Sequence, residues 1–271
     1  MASPVFTHVL RLIERDAFPR TRKLAWRGLY GVMSRVWRDG DWRFMNYGFA
    51  PERPFELRPE DEPERAFIGL YHQAVEGLPV TGARVLEVGS GRGGGARYVA
   101  RYHGPAEMVG LDYSSATVAR AKKLNADTPG LSFRQGDAER LPFPDASFDV
   151  VINIESSHCY ADVPAFAREV SRVLKPGGWF SFADMRAKSM AADLDRKLAA
   201  PGLELVSAKN ISAGVVRALD AAEARKRASM AKIPLARRFM SEFSGAQGSI
   251  LYKELGRGGV VYLARRYRKA G

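Results

Sequence analysis

The chain has 271 residues, of which 46% are apolar and 27% are charged, and its formal net charge is +12. This length is sufficient for one large domain or for a domain with an appended lid, and the composition excludes a disordered chain. No apolar run approaches the roughly 18 residues of a membrane span and no signal-peptide pattern is present, so the sequence predicts no transmembrane segment.

The cysteine and histidine content restricts the chemistry. The single cysteine, Cys159, cannot form an internal disulfide, which is typical of a cytoplasmic protein. The four histidines are scattered and form no H-x-x-x-H pair, and no C-x-x-C pair is present. We therefore expect no metal site.

The positive charge is concentrated at both ends of the sequence. Residues 1–43 carry a net charge of +5 and residues 197–271 a net charge of +10, whereas residues 44–196 carry −3. Such a basic periphery is compatible with contact to an anionic membrane surface, to nucleic acid or to an acidic carrier protein, and equally with a role in solubility alone. The pattern leaves these alternatives and the oligomeric state open.

The first predicted elements are helices. Apolar spacing predicts one helix at residues 5–15 and another at about 26–37. The second has a basic face, which is typical of a membrane-surface helix or, as we favour, of a helix packed on its own domain. Residues 44–54 contain proline and glycine and predict a loop. Residues 61–77 predict a helix with acidic residues in its first turn.

From residue 83 onward, predicted strands alternate with helices. Strands are predicted at 83–88, 106–112, 131–137, 148–154 and 178–185. Helices are predicted after the glycine loop, at 114–126 with Ser114 as the cap, and at about 163–174. The turn KPGG at 175–178 is predicted to end the last of these helices. Short apolar strands without alternation indicate a parallel sheet covered on both faces. The sequence therefore predicts an α/β doubly wound domain.

The last part of the chain has a looser pattern. A strand is predicted at 203–209, helical segments at 211–245 broken at Pro234, and an alternating strand at 259–268 on the edge of the sheet. The predicted organisation is an N-terminal helical lid at 1–60, an α/β core at 61–210, a helical lid insertion at 211–246, and the last strand or strands of the sheet at 247–271.

The stretch VLEVGSGRGGGARYVA, from Val85 to Ala100, contains two overlapping glycine patterns. Gly89, Gly91 and Gly94 fit G-x-G-x-x-G, which is typical of a dinucleotide-binding turn. Glu87 followed by the same first two glycines and Gly93 fits E-x-G-x-G-x-G, which suits a cationic ligand. Both patterns let the backbone approach a ligand at a helix N-terminus.

Charge decides between the two ligands. A pyrophosphate would be repelled by carboxylates, whereas the ammonium and sulfonium of S-adenosylmethionine would be attracted by them. Asp112 follows the second strand, where either cofactor would place its ribose hydroxyls, so it does not discriminate. Glu87 beside the loop and the GDAE cluster with Asp137 and Glu139 favour the cationic ligand.

Four ordered blocks resemble the class I S-adenosylmethionine-dependent methyltransferases. The blocks are VLEVGSGRGGG, GLDYS, GDAERLPFPDASFDVV and RVLKPGGWF, across about residues 83–185. The resemblance implies a doubly wound, seven-stranded Rossmann-like sheet whose last strand is antiparallel, with N-terminal helices and a helical insertion forming a lid. It also implies S-adenosyl-L-methionine as the cofactor.

The same resemblance implies roles for individual residues. Gly89, Ser90 and Gly91 would line the methionine moiety. Asp112 would bind the ribose and Tyr113 would flank the adenine. The remaining implied cofactor residues are Tyr30, Phe44, Asn46, Glu87, Asp137, Ala138, Glu139 and Asn153, with Asp137 and Ala138 at the adenine edge.

A narrower resemblance covers about residues 60–268. DEPERAFIGLYH, NIESSHCY and SGAQGSILYKEL are similar to blocks in mycobacterial phthiotriolone and phenolphthiotriolone dimethylcocerosate methyltransferases. FMNYG resembles the loop by which lipid- and polyketide-modifying members fold their N-terminal segment over the cofactor. These likenesses imply O-methylation of a hydrophobic small molecule, such as a polyketide, a lipid or another secondary metabolite. Residues 186–240 depart most from the pattern.

Methyl transfer to an alcohol benefits from a base, whereas a carboxylate acceptor needs none. The loop after the fourth strand offers His158, whose intrinsic pKa suits proton transfer, and Glu155 as an alternative or an orienting group. Tyr160 and Gln247 are candidate acceptor contacts. A thiol nucleophile at Cys159 is rejected, because neighbouring side chains on one segment usually point apart. The resemblance favours an alcohol over a carboxyl acceptor.

Three rival functions remain from the sequence. N- or C-methylation of a similar metabolite would need the same cofactor site. A non-catalytic cofactor-binding scaffold would retain the fold, although the intact glycines, Asp112 and Asp137 argue against a degenerate site. A nucleic-acid methyltransferase would explain the charge, but it usually carries N/D-P-P-Y/F after the fourth strand, where this sequence reads NIES. We therefore expect no nucleic-acid substrate.

Overall fold

A computed structural model of the chain describes residues 43–231, 241–242 and 244–271. Its strands are β1 (Arg84–Val88), β2 (Glu107–Asp112), β3 (Leu131–Gln135), β4 (Phe148–Ile154), β5 (Leu174–Ala187), β6 (Leu203–Asn210) and β7 (Val260–Lys269). Within these residues they form one seven-stranded sheet in the order β3-β2-β1-β4-β5-β7-β6. This confirms the predicted α/β doubly wound class.

The first described helix precedes β1, and the others lie between strands along the chain. They are α1 (Arg65–Val75), α2 (Gly94–His103), α3 (Ser115–Leu124), α4 (Val163–Val173), α5 (Ala191–Leu198), α6 (Ser212–Ala221), α7 (Glu223–Ala231) and α8 (Ile250–Arg257). The predicted cap of α3 is confirmed, since Ser114 Oγ accepts a hydrogen bond from the Thr117 amide. None of the helices in the described ranges is long and apolar enough to cross a membrane.

The first five strands run parallel, and β7 runs antiparallel to β5. The expected antiparallel last strand is thus confirmed, but its predicted position at the edge is wrong. β6 pairs with the outer side of β7 and is itself the edge strand. Alternation of apolar and polar residues along β7 does not show that it is an edge strand. An interior strand has the same alternation whenever the two faces of the sheet differ in polarity.

Two predicted boundaries are corrected. The KPGG segment, expected as a turn, lies inside β5, which starts at Leu174 directly after α4. Its pairing with β4 is interrupted between Phe148 and Val150, where the KPGG residues have no partner on β4 and Gly177 has a φ of +74°. The helix predicted from residue 61 begins as a 3-10 turn at Pro59–Glu64. Pro63 lacks an amide hydrogen, and the α-helix starts only at Arg65.

The centre of the sheet is buried on both faces. On β4, Val150 and Ile152 belong to one apolar cluster, and Val151 between them belongs to the other. All three side chains are 0% exposed. Successive side chains of a strand point to opposite faces, so each layer of helices covers one of the two clusters.

The described parts of the two predicted lid segments pack against each other. Residues 43–50 form neither helix nor strand. The amide of Phe49 donates to the Ala66 carbonyl on α1, and the amide of Ala50 donates to the Gly214 carbonyl on α6. The helices predicted at 5–15 and 26–37, and the part of the insertion around Pro234, lie outside the described residues.

Candidate functional site

A cavity opens at the carboxyl ends of β1, β2, β3 and β4, and encloses about 1030 Å³ including solvent at its mouth. Parallel α/β sheets bind ligands at this edge, beside the point where the strand order reverses. Here that point lies between β1 and β4. The wall consists of Arg43, Phe44, Met45, Asn46, Tyr71, Gly89, Ser90, Gly91, Arg92, Gly94, Gly95, Leu111, Asp112, Tyr113, Ser114, Thr117, Gly136, Asp137, Ala138, Ile154, Glu155, Ser156, Cys159 and Tyr160.

The glycine loop joins β1 to α2 at the floor of the cavity. Gly89 and Gly91 have φ angles of +77° and +52°, in the left-handed region that favours glycine. A Cβ at Gly89 would lie 2.3 Å from Ser156 Oγ. Glycine is therefore required there both by its conformation and by the close approach of the loop after β4.

Asp112, the last residue of β2, is oriented by two backbone donors. The Gly91 amide donates to Oδ2 over 3.0 Å and the Ser114 amide donates to Oδ1 over 2.9 Å. Each oxygen has a remaining lone pair that can accept a ligand hydroxyl. Burial raises the pKa of Asp112 to about 6, against the effect of the two amides. The carboxylate is ionised at neutral pH and faces the cavity.

The residues after β3 contribute a second acidic position. Asp137 and Ala138 line the cavity, and so does Tyr113 from the turn after β2. Glu139 does not line the cavity, because its Oε1 accepts a hydrogen bond from the Ala161 amide on the loop before α4. Of the predicted acidic cluster, only Asp137 is positioned on the wall.

Glu87 also lies behind the wall. It is 0% exposed, and Tyr71 on α1 donates a hydrogen bond to its Oε1 over 2.7 Å. Burial raises the pKa of Glu87 to about 8, against the effect of the Tyr71 hydroxyl. Tyr71, which the sequence analysis did not single out, occupies the wall in front of it. The only available signal was its place in the DEPERAFIGLYH block.

The segment FMNYG contributes directly to the cavity. Phe44 is buried against Phe67 and Tyr71 with ring centroids 6.1 Å from each. Asn46 Nδ2 donates to the Phe67 carbonyl over 3.3 Å. Both predicted residues, Phe44 and Asn46, line the wall. Tyr30 lies outside the described residues.

Glu155 is held in an unusual conformation by distant parts of the chain. Its φ is +46°, although it is not a glycine. Its Oε1 accepts hydrogen bonds from the Tyr47 amide over 2.8 Å and from the Tyr262 hydroxyl over 2.5 Å. Burial raises the pKa of Glu155 to about 8, against these hydrogen bonds. Since both bonds involve Oε1, Oε2 has no hydrogen-bond partner among the described residues.

His158, the predicted base, does not line the cavity. It is 9% exposed, and its Nδ1 lies 3.0 Å from Asp184 Oδ1, while Arg186 contacts the other carboxylate oxygen. Burial would lower the pKa of His158, but Cys159 and Asp184 raise it well above the usual range. A protonated imidazole cannot accept a proton. The prediction of His158 as a base therefore conflicts with its position and charge.

Asn153 is placed below Tyr160 and Ser156. Its Nδ2 lies 2.7 Å from both hydroxyl oxygens and 2.9 Å from the Val88 carbonyl. Tyr160 and Ser156 line the cavity, but the fully buried Asn153 does not. Asn153, predicted as a cofactor contact, is thus positioned to hold these hydroxyl groups.

Gln247, the second predicted acceptor contact, is exposed and lies away from the cavity. Its Nε2 donates to Asp220 Oδ1 over 2.8 Å and its amide donates to Glu223 Oε2 over 3.0 Å. These contacts link the turn before α8 to α6 and α7. The geometry gives Gln247 a structural contact and no place on the wall.

The wall has features that fit S-adenosylmethionine. Ser90 Oγ and Asn46 Oδ1 are buried and have no hydrogen-bond partner among the described residues. Such groups cost free energy unless a ligand satisfies them. However, Glu87 and Glu139, which carried the charge argument for this cofactor, are off the wall, and Arg43 and Arg92 are on it. Charge alone therefore does not distinguish the ligand.

Comparison with known proteins distinguishes it. Residues 86–182 match the family model described as a methyltransferase domain. The chain is 40% identical over 261 residues to the phthiotriol/phenolphthiotriol dimycocerosates methyltransferase of Mycobacterium tuberculosis, an alignment covering 95% of this chain and 96% of that protein. It is also 42% identical over 194 residues to a fatty-acid O-methyltransferase of Mycolicibacterium smegmatis, covering 71% of this chain and 70% of that protein.

A solved structure supports the fold. The geranyl diphosphate C-methyltransferase of Streptomyces coelicolor, determined with geranyl diphosphate and S-adenosyl-L-homocysteine, superposes with a TM-score of 0.63 and 16% identity. The superposition covers 89% of this chain and 98% of that one. At this level of identity the likeness shows a shared architecture.

Proposed function

The chain belongs to the family of the phthiotriol/phenolphthiotriol dimycocerosates methyltransferases and is an S-adenosylmethionine-dependent methyltransferase, and we propose that it methylates an oxygen of a hydrophobic, lipid-like acceptor. The acceptor oxygen belongs to a hydroxyl or a carboxyl group. The named activities of the two relatives support a lipid-like acceptor, and the arrangement around Glu155 supports transfer to oxygen.

The cavity has two sides with different chemistry. We call the groups after β1, β2 and β3 the cofactor edge, which comprises Gly89–Gly91, Asp112, Tyr113, Asp137 and Ala138. We call the groups around the start of the loop after β4 the acceptor edge, which comprises Glu155, Tyr47 and Tyr262. The strand order places β4 on the opposite side of β1 from β2 and β3, so Glu155 lines the cavity on the side opposite to Asp112 and Asp137, with Tyr47 and Tyr262 behind it.

The cofactor edge would hold S-adenosylmethionine. Bound there, the cofactor supplies a methyl group activated by a sulfonium. Asp112 would accept hydrogen bonds from the ribose hydroxyls through the lone pairs left free by Gly91 and Ser114. Ser90 Oγ and Asn46 Oδ1 would satisfy their hydrogen-bonding capacity on the amino-acid portion.

Glu155 is the observation that carries the proposal of O-methylation. An alcohol acceptor loses a proton as its oxygen forms the new bond, and a carboxylate within hydrogen-bond reach can take it. Tyr47 and Tyr262 fix Oε1, which leaves Oε2 to accept that proton. Backbone in the left-handed region at a non-glycine residue costs about 1–3 kcal/mol, and such strain is common at functional sites.

His158 and Asp184 would act as positioning residues. Asp184 Oδ2 accepts hydrogen bonds from the Ser157 hydroxyl and the His158 amide, and the Glu155 amide donates to the Ala183 carbonyl next to it. The buried carboxylate thereby ties the loop after β4 to β5. This contact fixes the direction in which Glu155 leaves the sheet.

The proposal is tested by methyl transfer from labelled S-adenosylmethionine to dodecanoic acid, 1-dodecanol and dodecylamine. Transfer to the acid or the alcohol, with none to the amine, is expected. Glu155→Gln should lower turnover with 1-dodecanol by about a hundredfold, because general-base catalysis contributes about 10²–10⁴. Binding of S-adenosylhomocysteine should be unchanged.

Glu204→Gln is the matched control, because Glu204 is an exposed residue of the edge strand β6. It should behave like the wild type with every acceptor. Transfer to the amine alone would contradict O-methylation. Full activity of Glu155→Gln with the alcohol would remove Glu155 from the proton transfer.

A further inference from the structure

Two hydroxyl groups on the cavity wall, those of Ser156 and Tyr160, connect the cofactor edge with the acceptor edge. A Cβ at Gly89 would lie 3.1 Å from the Tyr160 hydroxyl oxygen, so this oxygen lies against the first glycine of the cofactor edge. Ser156 directly follows Glu155 of the acceptor edge. The two hydroxyl oxygens are 2.9 Å apart, and we call them the hydroxyl pair.

Asn153 on β4 fixes the hydroxyl pair from behind the wall. Its Nδ2 lies 2.7 Å from each hydroxyl oxygen and 2.9 Å from the Val88 carbonyl oxygen. Reversing the amide would bring Oδ1 against the Val88 carbonyl, which would place two acceptors in contact. Nδ2 therefore occupies this position, and both hydroxyl oxygens face a donor that lies behind them.

The protons of the hydroxyl pair have acceptors within the same cluster. Ser156 Oγ donates to the Val88 carbonyl over 3.3 Å, which leaves Ser156 Oγ to accept the proton of the Tyr160 hydroxyl. Burial raises the pKa of Tyr160 above its ordinary value, against the effect of Ser156 and Asn153, so this hydroxyl is neutral. The hydrogens thus lie inside the cluster, and two oxygen atoms with partial negative charge lie at the wall.

The covalent structure of S-adenosylmethionine determines which of its atoms would reach this pair. Its sulfur joins the ribose, which Asp112 would bind, to the amino-acid portion, which Ser90 would bind. The methyl group on sulfur has to point towards the acceptor oxygen for in-line transfer. The sulfonium therefore belongs between Asp112 and Glu155, where the loops after the neighbouring strands β1 and β4 bring Gly89 and the hydroxyl pair into contact.

We propose that the Ser156 and Tyr160 oxygens bind the sulfonium methyl group, so that the enzyme distinguishes S-adenosylmethionine from its neutral product S-adenosylhomocysteine. A methyl group on a sulfonium carries part of the positive charge and is a donor of weak C–H···O hydrogen bonds. Asn153 acts as a positioning residue, because it orients the two oxygens without facing the cavity. The inference rests on the proposed positions of the two edges, and it holds whichever atom of the acceptor receives the methyl group.

The test compares Tyr160→Phe with the wild type by calorimetric titration in the absence of an acceptor. Tyr160→Phe should weaken the binding of S-adenosylmethionine about fivefold, the loss of one C–H···O contact to a charged group. The binding of S-adenosylhomocysteine, which lacks the methyl group and the charge, should change less than about twofold. Sinefungin carries a protonated amino group in place of the methyl sulfonium, and its binding should weaken at least about tenfold, because an N–H donor forms the stronger bond.

Tyr252→Phe is the matched control, because it makes the same change outside the cavity. The Tyr252 hydroxyl donates to Asp220 Oδ1 over 2.7 Å on the surface, and its removal should leave the affinity for all three ligands at the wild-type value. Ser156→Ala tests the second oxygen of the pair. It should also weaken the binding of S-adenosylmethionine more than that of S-adenosylhomocysteine.

Tyr160→Phe should retain the fold. The ring keeps its edge-to-face contact with Phe166, at 4.9 Å between centroids. The two protons of Asn153 Nδ2 keep the Val88 carbonyl and Ser156 Oγ as acceptors. The melting temperature of the free variant should therefore stay within about 4 °C of the wild type.

The remaining outcomes separate this inference from the proposed O-methylation. Equal losses of affinity for S-adenosylmethionine and S-adenosylhomocysteine, or no loss for either, would overturn the contact with the sulfonium methyl group. A loss of methyl transfer with unchanged affinity for all three ligands would assign the Tyr160 hydroxyl to the acceptor and would overturn it as well. If the wild type methylated only the amine, the proposed O-methylation would fail, and the affinities measured without an acceptor would still decide the role of Tyr160.

Discussion

The cofactor edge and the acceptor edge are built in different ways. At the cofactor edge, the Asp112 carboxylate is oriented by backbone amides that are 2 and 21 residues away in the sequence. At the acceptor edge, Glu155 is held by Tyr47 and Tyr262, which are 108 and 107 residues away. The first site is therefore specified by short, contiguous motifs, and the second exists only once distant segments have packed.

This difference has an energetic consequence. Backbone amides orient Asp112 whatever side chains surround it, so a substitution there should remove a ligand contact and leave the fold. The acceptor edge rests on the buried charges of Asp184, Arg186 and His158. Removing one charged residue of such a group leaves the remaining buried charges without full electrostatic compensation. The two edges should therefore differ in whether mutations affect binding or stability.

The largest expected effect is on stability at the acceptor edge. His158→Ala should lower the free energy of unfolding by about 3–5 kcal/mol, because it leaves the fully buried Asp184 without one of its cationic partners. The activity of the molecules that remain folded should fall by less than about tenfold, since His158 does not face the cavity. Chemical denaturation and turnover per folded enzyme measure the two quantities.

Arg196→Ala is the control for this substitution. It breaks an ion pair with Asp193 in which the side chains are 73% and 38% exposed, and should cost less than about 1 kcal/mol. A loss of about a hundredfold in turnover with unchanged stability would instead identify His158 as the base, as the sequence suggested.

The next effect is on binding at the cofactor edge. Asp112→Ala should weaken S-adenosylhomocysteine binding by about thirtyfold to a hundredfold, the loss of hydrogen bonds to a charged acceptor. The melting temperature of the free protein should not fall, because the removed carboxylate is buried with its pKa raised to about 6 and so opposes folding when ionised. Isothermal titration and thermal unfolding provide the measurements. If Asp112→Ala lowered stability strongly and left the affinity unchanged, the proposed difference between the two edges would be wrong.

The same distinction explains which parts of the site could be predicted from the sequence. The glycine loop, Asp112, Tyr113, Asp137 and Ala138, which the sequence predicts as cofactor contacts, line the cavity. Each follows a strand directly, so predicting the strand fixes the residue. The sheet itself was predictable for a related reason, since β1, β2 and β4 are short apolar runs.

The failures share a physical cause. Glu87 and Glu139 have the expected positions along the chain, but Tyr71 and the Ala161 amide bind them from other elements. His158 was judged by its intrinsic pKa, whereas Asp184, 26 residues away, determines its protonation. Sequence position identifies which strand carries a side chain. It does not show which group from elsewhere in the fold will form a hydrogen bond or an ion pair with that side chain.

Lys226 illustrates the same limit from the other direction. Three consecutive basic residues, Arg225 to Arg227, read as a solvated charge run. Only the packing of α7 shows that the Lys226 side chain is buried and that its Nζ has no hydrogen-bond partner among the described residues. The burial of one lysine in such a run cannot be recognised from the sequence without the helix phase and the surrounding contacts.

The last prediction concerns pH, to which the two edges should respond in different pH ranges. Burial raises the pKa of Asp112 to about 6 and that of Glu155 to about 8. Below pH 6, Asp112 gains a proton and loses its capacity to accept both ribose hydroxyls. The affinity for S-adenosylhomocysteine should therefore fall as the pH decreases, by at most about tenfold per pH unit. Turnover with an alcohol should rise through pH 8, because only the ionised Glu155 can accept a proton.

The titratable groups around Glu155 determine whether the rise in alcohol turnover near pH 8 can be assigned to Glu155. They are Tyr47, Tyr262, Asp184 and His158, and the two tyrosines have pKa values raised above their ordinary range by burial. Neither tyrosine ionises near pH 8, but burial also raises the pKa of Glu87 to about 8, so only the effect of a substitution at Glu155 assigns the rise in alcohol turnover to Glu155. Asp112→Asn should flatten the acidic limb of cofactor binding, and Glu155→Gln should flatten the alkaline rise. If a single substitution flattened both limbs, the two edges would titrate as one coupled unit, and their separation into a cofactor side and an acceptor side would be wrong.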